Sequence, residues 1–372
     1  MTLVISSLGC GGAERVLSMM ANYWAGRGEQ VTLLTLDRER TPFYPLHPAV
    51  THCPLGLAAE SRNLAVGFLR NLYRIRVLRR AIRESLPEVI ISFMDKNNVL
   101  TLLATRGLGV PVVISERIDP SRYDIGGLWN LLRRLTYPRA SALVCQTPRA
   151  LERFRSIVGS RGKTIPNPVL PPPEAKCRAD CGRPVQDSHR IVAMGRLVEQ
   201  KGFDILIDAF STVAPKFPDW SLTILGGGPL RPILEKQVER LRMQGRVTLL
   251  GQVRDPFAVL RGAGMFVLSS RFEGFPNALC EAMACGLPVI SFDCPSGPRE
   301  VVRNGIDGVL VPPEDTAALA AAMAHLMGDR GERERLAGRA SEVLDRFGIE
   351  EIMVKWDKLI EATRNAHSLP GN

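Results

Sequence analysis

The sequence predicts an α/β protein built from two Rossmann-like, doubly wound parallel-sheet domains facing a cleft. A chain of 372 residues exceeds what a single core fills before chains split into domains. Short β-branched runs alternate with longer helical patterns along its whole length, the rhythm of parallel strands joined by crossover helices. Between two such series lies the stiff, extended stretch Asn167-Pro168-Val169-Leu170-Pro171-Pro172-Pro173, followed by a polar segment without periodicity through Ser188.

In the first series, strands are expected at Leu3–Ser7, Val31–Leu36, Val89–Phe93, Val112–Ser115 and Ala142–Cys145. Helices are expected at about Gly12–Arg27, Val66–Ser85, Asn97–Arg106, Gly127–Thr136 and Pro148–Val158, the last opened by Thr147 as N-cap with proline at the first helical position. The second series places strands at Ile191–Met194, Leu222–Leu225, Val247–Leu250, Met265–Leu268, Val289–Ser291 and Gly308–Val311. The expected domains are 1–168 and 189–348, with 169–188 as linker. Ligands of open α/β sheets sit beyond the carboxyl ends of the strands.

The bulk numbers narrow the function. Nothing approaches the run of about 18 apolar residues that a spanning helix needs. The start Met1-Thr2-Leu3-Val4-Ile5 turns glycine-rich at once and reads as a first strand rather than a signal peptide, giving the expectation of a cytosolic protein. The eight cysteines are spread out, and the one close pair, Cys177 and Cys181, lacks a second pair to complete a tetrahedral metal site, so all are expected to be reduced. Lys and Arg number 48 against 38 Asp and Glu, a net +10 that favours an anionic ligand or surface. Nucleic acid is disfavoured, because zinc-finger spacing, RNP-type aromatic strands and a basic tail are missing and aromatic residues make up only 6%.

Two segments carry the chemistry. Gly195-Arg196-Leu197-Val198-Glu199-Gln200-Lys201-Gly202 follows a strand and opens a helix, so backbone N–H groups and two cations suit a diphosphate. Ser270-Arg271-Phe272-Glu273-Gly274-Phe275-Pro276-Asn277-Ala278-Leu279-Cys280-Glu281 places Glu273 in a loop and Glu281 inside a helix. Carboxylates accept paired hydrogen bonds from vicinal hydroxyls, which fits Glu281 to a ribose and Glu273 to a sugar, while the helix N-terminus near Phe275–Ala278, opened by Pro276 and Asn277, adds amides for a phosphate. Two glycine turns, Gly226-Gly227-Gly228-Pro229 and Gly11-Gly12-Ala13-Glu14-Arg15, permit close backbone approach.

With these motifs the chain resembles family 4 of the retaining GT-B glycosyltransferases over essentially its whole length. The resemblance runs from Gly-Gly-Ala-Glu-Arg through the basic loop and triple glycine to Glu273, Glu281 and Ala282-Met283-Ala284-Cys285-Gly286-Leu287-Pro288-Val289. It implies that Arg196 and Lys201 bind the donor pyrophosphate, Glu281 the ribose and Glu273 the donor hexose. It also implies that a C-terminal helix, about Ile349–Ala362 within 349–372, crosses back onto the first domain. A uridine diphosphate donor carrying a hexose or N-acetylhexosamine is expected on the resemblance alone. Many members carry a histidine in a first-domain loop where this chain has Ser115-Glu116-Arg117-Ile118-Asp119. Glu116 and Arg117 are the candidates to stand in for it, an ordinary loop ion pair being the other reading. No Asp-x-Asp occurs, so phosphate charge falls to Arg196, Lys201 and helix N-termini, and neither metal nor cofactor is expected.

Three other readings compete. A nicotinamide oxidoreductase is suggested by Gly9-Cys10-Gly11 and Asp37, but Glu14 occupies the third glycine's place, where a carboxylate repels pyrophosphate. A non-catalytic nucleic-acid or membrane-binding protein explains the charge but not the motifs. A sugar-nucleotide epimerase or hydrolase of the same fold is nearer. For the acceptor, Val66–Ser85 places Phe68, Ile75, Leu78, Ile82 and Leu86 on one side and Arg76, Arg79, Arg80 and Arg83 on an adjacent stripe. With Arg70, Arg74, Arg133 and Arg134, that stripe is read as meeting anionic headgroups or the diphosphate of a polyprenol-linked glycan at the inner face of the membrane, a solvated charged face being the alternative.

Overall fold

A computed structural model describes residues 1–57, 64–118, 124–173 and 188–368. The chain divides into two compact units, Met1–Pro168 with Ile352–Asn372, and Val169–Glu351. Asp119, Cys177 and Cys181 fall outside the described residues, as does the interior of the expected linker, and the side chain of Phe68 is likewise not described.

The first unit opens with strand β1 (Thr2–Ile5), helix α1 (Gly12–Gly26), β2 (Val31–Thr35) and β3 (Val50–Pro54). It continues through α2 (Leu64–Glu84), β4 (Ile90–Phe93), α3 (Asp95–Ala104), β5 (Val112–Ser115) and α4 (Gly127–Thr136). Strand β6 (Ala142–Cys145), α5 (Pro148–Glu152), α6 (Arg155–Val158) and β7 (Gly162–Thr164) complete the series. The strands form one parallel sheet in the order β3-β2-β1-β4-β5-β6-β7. Central strands such as Ile90-Ile91-Ser92-Phe93 are buried at every position, as parallel strands covered on both faces must be.

The second unit runs β8 (Arg190–Met194), α7 (Phe203–Val213), β9 (Ser221–Leu225), α8 (Arg231–Arg240), β10 (Val247–Gly251) and α9 (Pro256–Arg261). Strand β11 (Met265–Leu268), α10 (Asn277–Ala284), β12 (Val289–Phe292), α11 (Pro298–Val301) and β13 (Val309–Val311) follow. Its sheet is also parallel, in the order β10-β9-β8-β11-β12-β13. Helices α12 (Thr316–Gly328), α13 (Arg330–Ala340), α14 (Val343–Phe347) and α15 (Ile349–Ser368) end the chain, and Asp255, Asp315 and Asp329 cap α9, α12 and α13 through their carboxylates.

The two parallel sheets are the predicted fold, with local corrections. Strands β3 and β7 were not expected: β3 is a half-exposed edge of mixed polarity ending in proline, and β7 has three residues, so neither has a hydrophobic pattern to announce it. The expected continuous helix Pro148–Val158 breaks at Arg153–Phe154, where Phe154 turns inward against Tyr137 with ring centroids 5.9 Å apart. Packing there overrides helical propensity. Leu86, placed on the apolar side of α2, instead lies beyond its end at φ 44° and is 86% exposed. Val169, expected in the linker, is buried and donates its N–H to Phe347.

From Ile352 onward α15 belongs to the first unit. Trp356 is fully buried beside Phe93, ring centroids 6.3 Å apart, and Trp24 Nε1 donates to Asp357 at 2.7 Å. Near the end of the helix Arg364 pairs with Glu88 at 3.1 Å and the His367 ring meets the Gly109 carbonyl at 2.8 Å. Replacing a buried tryptophan by alanine costs about 3–5 kcal/mol. Trp356→Ala is therefore expected to lower the stability of the first unit by that amount in urea titration, while Asp357→Ala costs about 1 kcal/mol through the lost hydrogen bond.

Candidate functional site

In each sheet the direction of winding reverses once, between β1 and β4 in the first unit and between β8 and β11 in the second. At such a switch point the two adjacent strands send their loops apart, leaving a crevice at their carboxyl ends. The basic loop follows β8 and the Glu273 loop follows β11, so the fold places the two predicted segments side by side.

Their junction is densely bonded. A 3-10 turn over Glu199–Lys201 ends at Gly202, whose φ of 60° is left-handed and whose added Cβ would stand 2.1 Å from the Ser269 carbonyl oxygen. The Arg271 N–H donates to Gln200 O at 2.8 Å, Gln200 Nε2 to Phe272 O at 2.9 Å and the Ser269 hydroxyl to Lys201 O at 2.9 Å. Arg271 also forks onto both Asp204 carboxylate oxygens at 2.7 and 3.0 Å and reaches Glu199 O at 2.6 Å. Despite the opposing effect of partial burial, these bonds hold the Asp204 carboxyl below its ordinary range and raise the Arg271 guanidinium. Lys201 Nζ sits 2.6 Å from Glu273 Oε1, which also accepts from the Ser270 hydroxyl at 2.6 Å. Glu273 is buried, and Arg196 on the same loop is exposed.

The glycines serve this junction as much as any ligand. Leu197 N–H donates to Gly227 O at 2.9 Å and Leu230 N–H to Leu197 O at 3.0 Å. A Cβ on Gly228 would stand 2.5 Å from Leu197 O, whereas one on Gly227 meets only ordinary contacts, and Gly195 lies against the Lys201 stem. Gly228 is thus required by the approach of one loop to the other.

On α10, Glu281 is buried and points inward from a helix packed on β11. Phe275 does not face outward: its ring packs edge-on against Phe347 at 5.6 Å. The Asn277 amide donates to Phe275 O at 3.0 Å, leaving the helix start at Ala278 and beyond, after half-buried Asn277 and buried Pro276, as the amide source.

In the first unit, Gly11 precedes α1 in extended conformation and the exposed Gly12 begins it. Beyond β5 the structure corrects the expectation for Glu116 and for Arg133. Glu116 is buried, accepts a very short hydrogen bond from Tyr137 and lies 3.5 Å from Arg133, which is itself buried and 3.9 Å from Asp95. Neither is open to an acceptor or a headgroup. Burial raises the Glu116 carboxyl to about 7, outweighing Arg133 and Tyr137. Arg117 is buried over the Phe93 ring, 3.5 Å from its centroid, and donates to Asn167 at 2.5 Å, while burial lowers it to about 9. Among the described residues its Nε and Nη2 meet no hydrogen-bond partner.

The α2 stripe is less uniform than its spacing suggests. Arg79 donates to the carbonyls of Ala104 and Arg106, both at 2.7 Å, so it caps the end of α3. Arg80 pairs with Glu84 at 2.7 Å, and Arg76 and Arg83 are exposed. Arg271 and Tyr137 went without a role in the sequence because their partners are distant along the chain, and Ser270 was missed although Glu273 is only three residues on.

Two family models match, "Glycosyl transferases group 1" over residues 188–329 and "Glycosyl transferase 4-like domain" over residues 11–169. A Campylobacter jejuni alpha-1,4-N-acetyl-D-galactosaminyltransferase, named for an undecaprenol-diphosphate-linked glycan, is 28% identical over 98% of this chain and 99% of its own. The lipopolysaccharide core biosynthesis glycosyltransferase LpsE of Rhizobium meliloti is 29% identical over 90% and 91%. Among solved structures, Anabaena HepE with UDP and glucose aligns at a TM-score of 0.76 with 20% identity, covering 97% of this chain and 98% of that one. Sucrose-phosphate synthase from Thermosynechococcus elongatus aligns at 0.82 with 21% identity, covering 98% and 99%. The fold is that of GT-B glycosyltransferases.

A carboxyl raised above its unfolded value contributes stability in its protonated form, fully present below the usual carboxylate range and lost as pH rises through about 7. Glu116→Gln keeps an acceptor for Tyr137 without that titration. The melting temperature of the variant minus that of wild type is expected to grow more favourable from pH 5 to pH 8, as followed by circular dichroism.

Proposed function

We propose that this chain, which belongs to the group 1, family-4-like glycosyltransferases, moves a hexose or N-acetylhexosamine from a uridine diphosphate sugar to a lipid-linked oligosaccharide or polysaccharide precursor. The observation that carries the donor half of this reading is the Lys201–Glu273 contact at the switch point, where a phosphate-binding cation and a hydroxyl-binding carboxylate meet. Lys201 has three N–H donors and directs one at Glu273, which leaves two for phosphate oxygens. Exposed Arg196 supplies a planar fork beside it, and the Ala278 end of α10 adds backbone amides. Glu281 is the ribose ligand and Glu273 the ligand of the transferred sugar. UDP in the HepE structure supports the base.

Transfer proceeds with retention. The acceptor oxygen bonds to the anomeric carbon on the face from which the diphosphate leaves, the carbon–phosphate-oxygen bond breaks, and a diphosphate oxygen takes the acceptor proton. Arg196 and Lys201 stabilise the charge that develops on the leaving group, without metal. The acceptor reading is supported by the undecaprenol-linked glycan in the Campylobacter relative's name and by the exposed Arg76 and Arg83 of α2. No helix among the described residues is long and apolar enough to cross a membrane, and the enzyme works at the inner membrane face as a peripheral protein.

Lys201→Ala and Glu281→Ala are each expected to lower kcat/KM about 100-fold, close to 2.7 kcal/mol, while still folding, as checked by circular dichroism. Glu273→Ala is expected to act mainly on kcat. Near-wild-type turnover by a folded Lys201→Ala or Glu281→Ala variant would overturn these roles. A panel of nucleotide sugars, followed by released nucleoside diphosphate with and without a chelator, tests the donor and the metal-free step together. Exclusive turnover of a guanosine donor would replace the uridine reading, and nucleotide release without a glycosylated acceptor would mark an epimerase or hydrolase.

A further inference from the structure

Helix α4, Gly127-Leu128-Trp129-Asn130-Leu131-Leu132-Arg133-Arg134-Leu135-Thr136, buries Arg133 and Thr136 and turns leucines outward. Leu128, Leu131 and Leu135 are 63%, 53% and 59% exposed, and their spacing of three and four residues places them in one row. The inner side of the helix is already filled, with Trp129 and Leu132 packed on the core and buried Arg133 lying 3.5 Å from Glu116, so the leucine row is a second apolar face. Helix α3 packs between α2 and α4, so the three helices form one layer against the sheet. On α2 the layer also exposes Leu69 and Tyr73, at 65% and 62%.

The charge of the same layer is one-sided. Helices α2, α3 and α4 hold nine Lys and Arg residues against two carboxylates, Glu84 and Asp95. Glu84 is paired with Arg80, and Asp95 lies 3.9 Å from Arg133. Exposed Arg134 stands beside the leucine row, and exposed Lys96 lies 5.8 Å over the Trp129 ring. An exposed apolar row flanked by cations suits a surface that is anionic outside and apolar beneath. We propose that the leucine ridge of α4 inserts into the headgroup region of an anionic bilayer, with exposed Arg76, Arg83, Lys96 and Arg134 of the layer resting on its phosphates. The inference rests on the membrane-facing reading of the acceptor and moves the anchor from the α2 arginines to the α4 leucines.

Sedimentation with vesicles of equal phosphatidylglycerol and phosphatidylcholine, holding no glycan, reads docking independently of transfer. Leu128→Gln/Leu131→Gln/Leu135→Gln keeps helix propensity and is expected to reduce partition by about tenfold or more at both low and high salt. Arg76→Gln/Arg83→Gln is expected to reduce it at low salt only, because exposed charge is screened. The triple variant is expected to melt like wild type and to turn over a detergent-solubilised acceptor at the wild-type rate. Equal sedimentation of wild type and triple variant overturns the proposal, as does equal binding of wild type to pure phosphatidylcholine vesicles. A lipid-free wild-type dimer that the triple variant converts to monomer also overturns it, the ridge then being covered by a second copy. Intact vesicle binding without transfer in detergent would instead retire the acceptor assignment and leave docking standing.

Discussion

Strands β8 and β11 are neighbours in the second sheet, although the Lys201 and Glu273 loops that leave them are 72 residues apart in the chain. Everything at that carboxyl edge depends on holding those two loops together. Arg271 is the hub: its fork onto Asp204 and its bond to the Glu199 carbonyl tie the β11 loop to the turn after β8. Gly202 and Gly228 let backbone approach backbone where any Cβ would collide. The result is a pair of opposite charges, Lys201 and Glu273, held in place by the loops themselves, which is the preorganisation that the proposed donor site calls on.

The first unit uses buried polar groups differently. Tyr137 donates to Glu116, and Arg133 lies 3.5 Å from Glu116 and 3.9 Å from Asp95 in the layer beyond β5, at the cost of a carboxyl whose ionisation is disfavoured. On α4, Arg133 and Thr136 are buried and Trp129 and Leu132 pack on the core, while Leu128, Leu131 and Leu135 face out. The helix thus presents two apolar faces, one packed on the core and one exposed, with Arg133 enclosed on the inner side.

Arginines on α2 show how spacing and role separate. All four of Arg76, Arg79, Arg80 and Arg83 fall on one stripe by periodicity, yet Arg79 caps α3 and Arg80 holds Glu84. The helical wheel reports direction. Which carbonyls and carboxylates lie in that direction is a property of neighbouring elements.

Sequence by itself determined the two series of strands and helices, because burial on both faces demands continuous apolar runs and crossover helices demand a 3.6-residue period. It also marked Arg196, Lys201, Glu273 and Glu281, since each stands in a short motif beside a glycine turn or helix start. Tertiary structure alone decided the edge strands β3 and β7, whose pairing comes from a neighbour rather than from their own pattern. It alone decided that Glu116 is enclosed, that Phe275 packs on Phe347, and that Arg271 joins the loops. Those partners lie 21 to 72 residues away along the chain, and a periodicity read over one or two turns cannot reach across that separation.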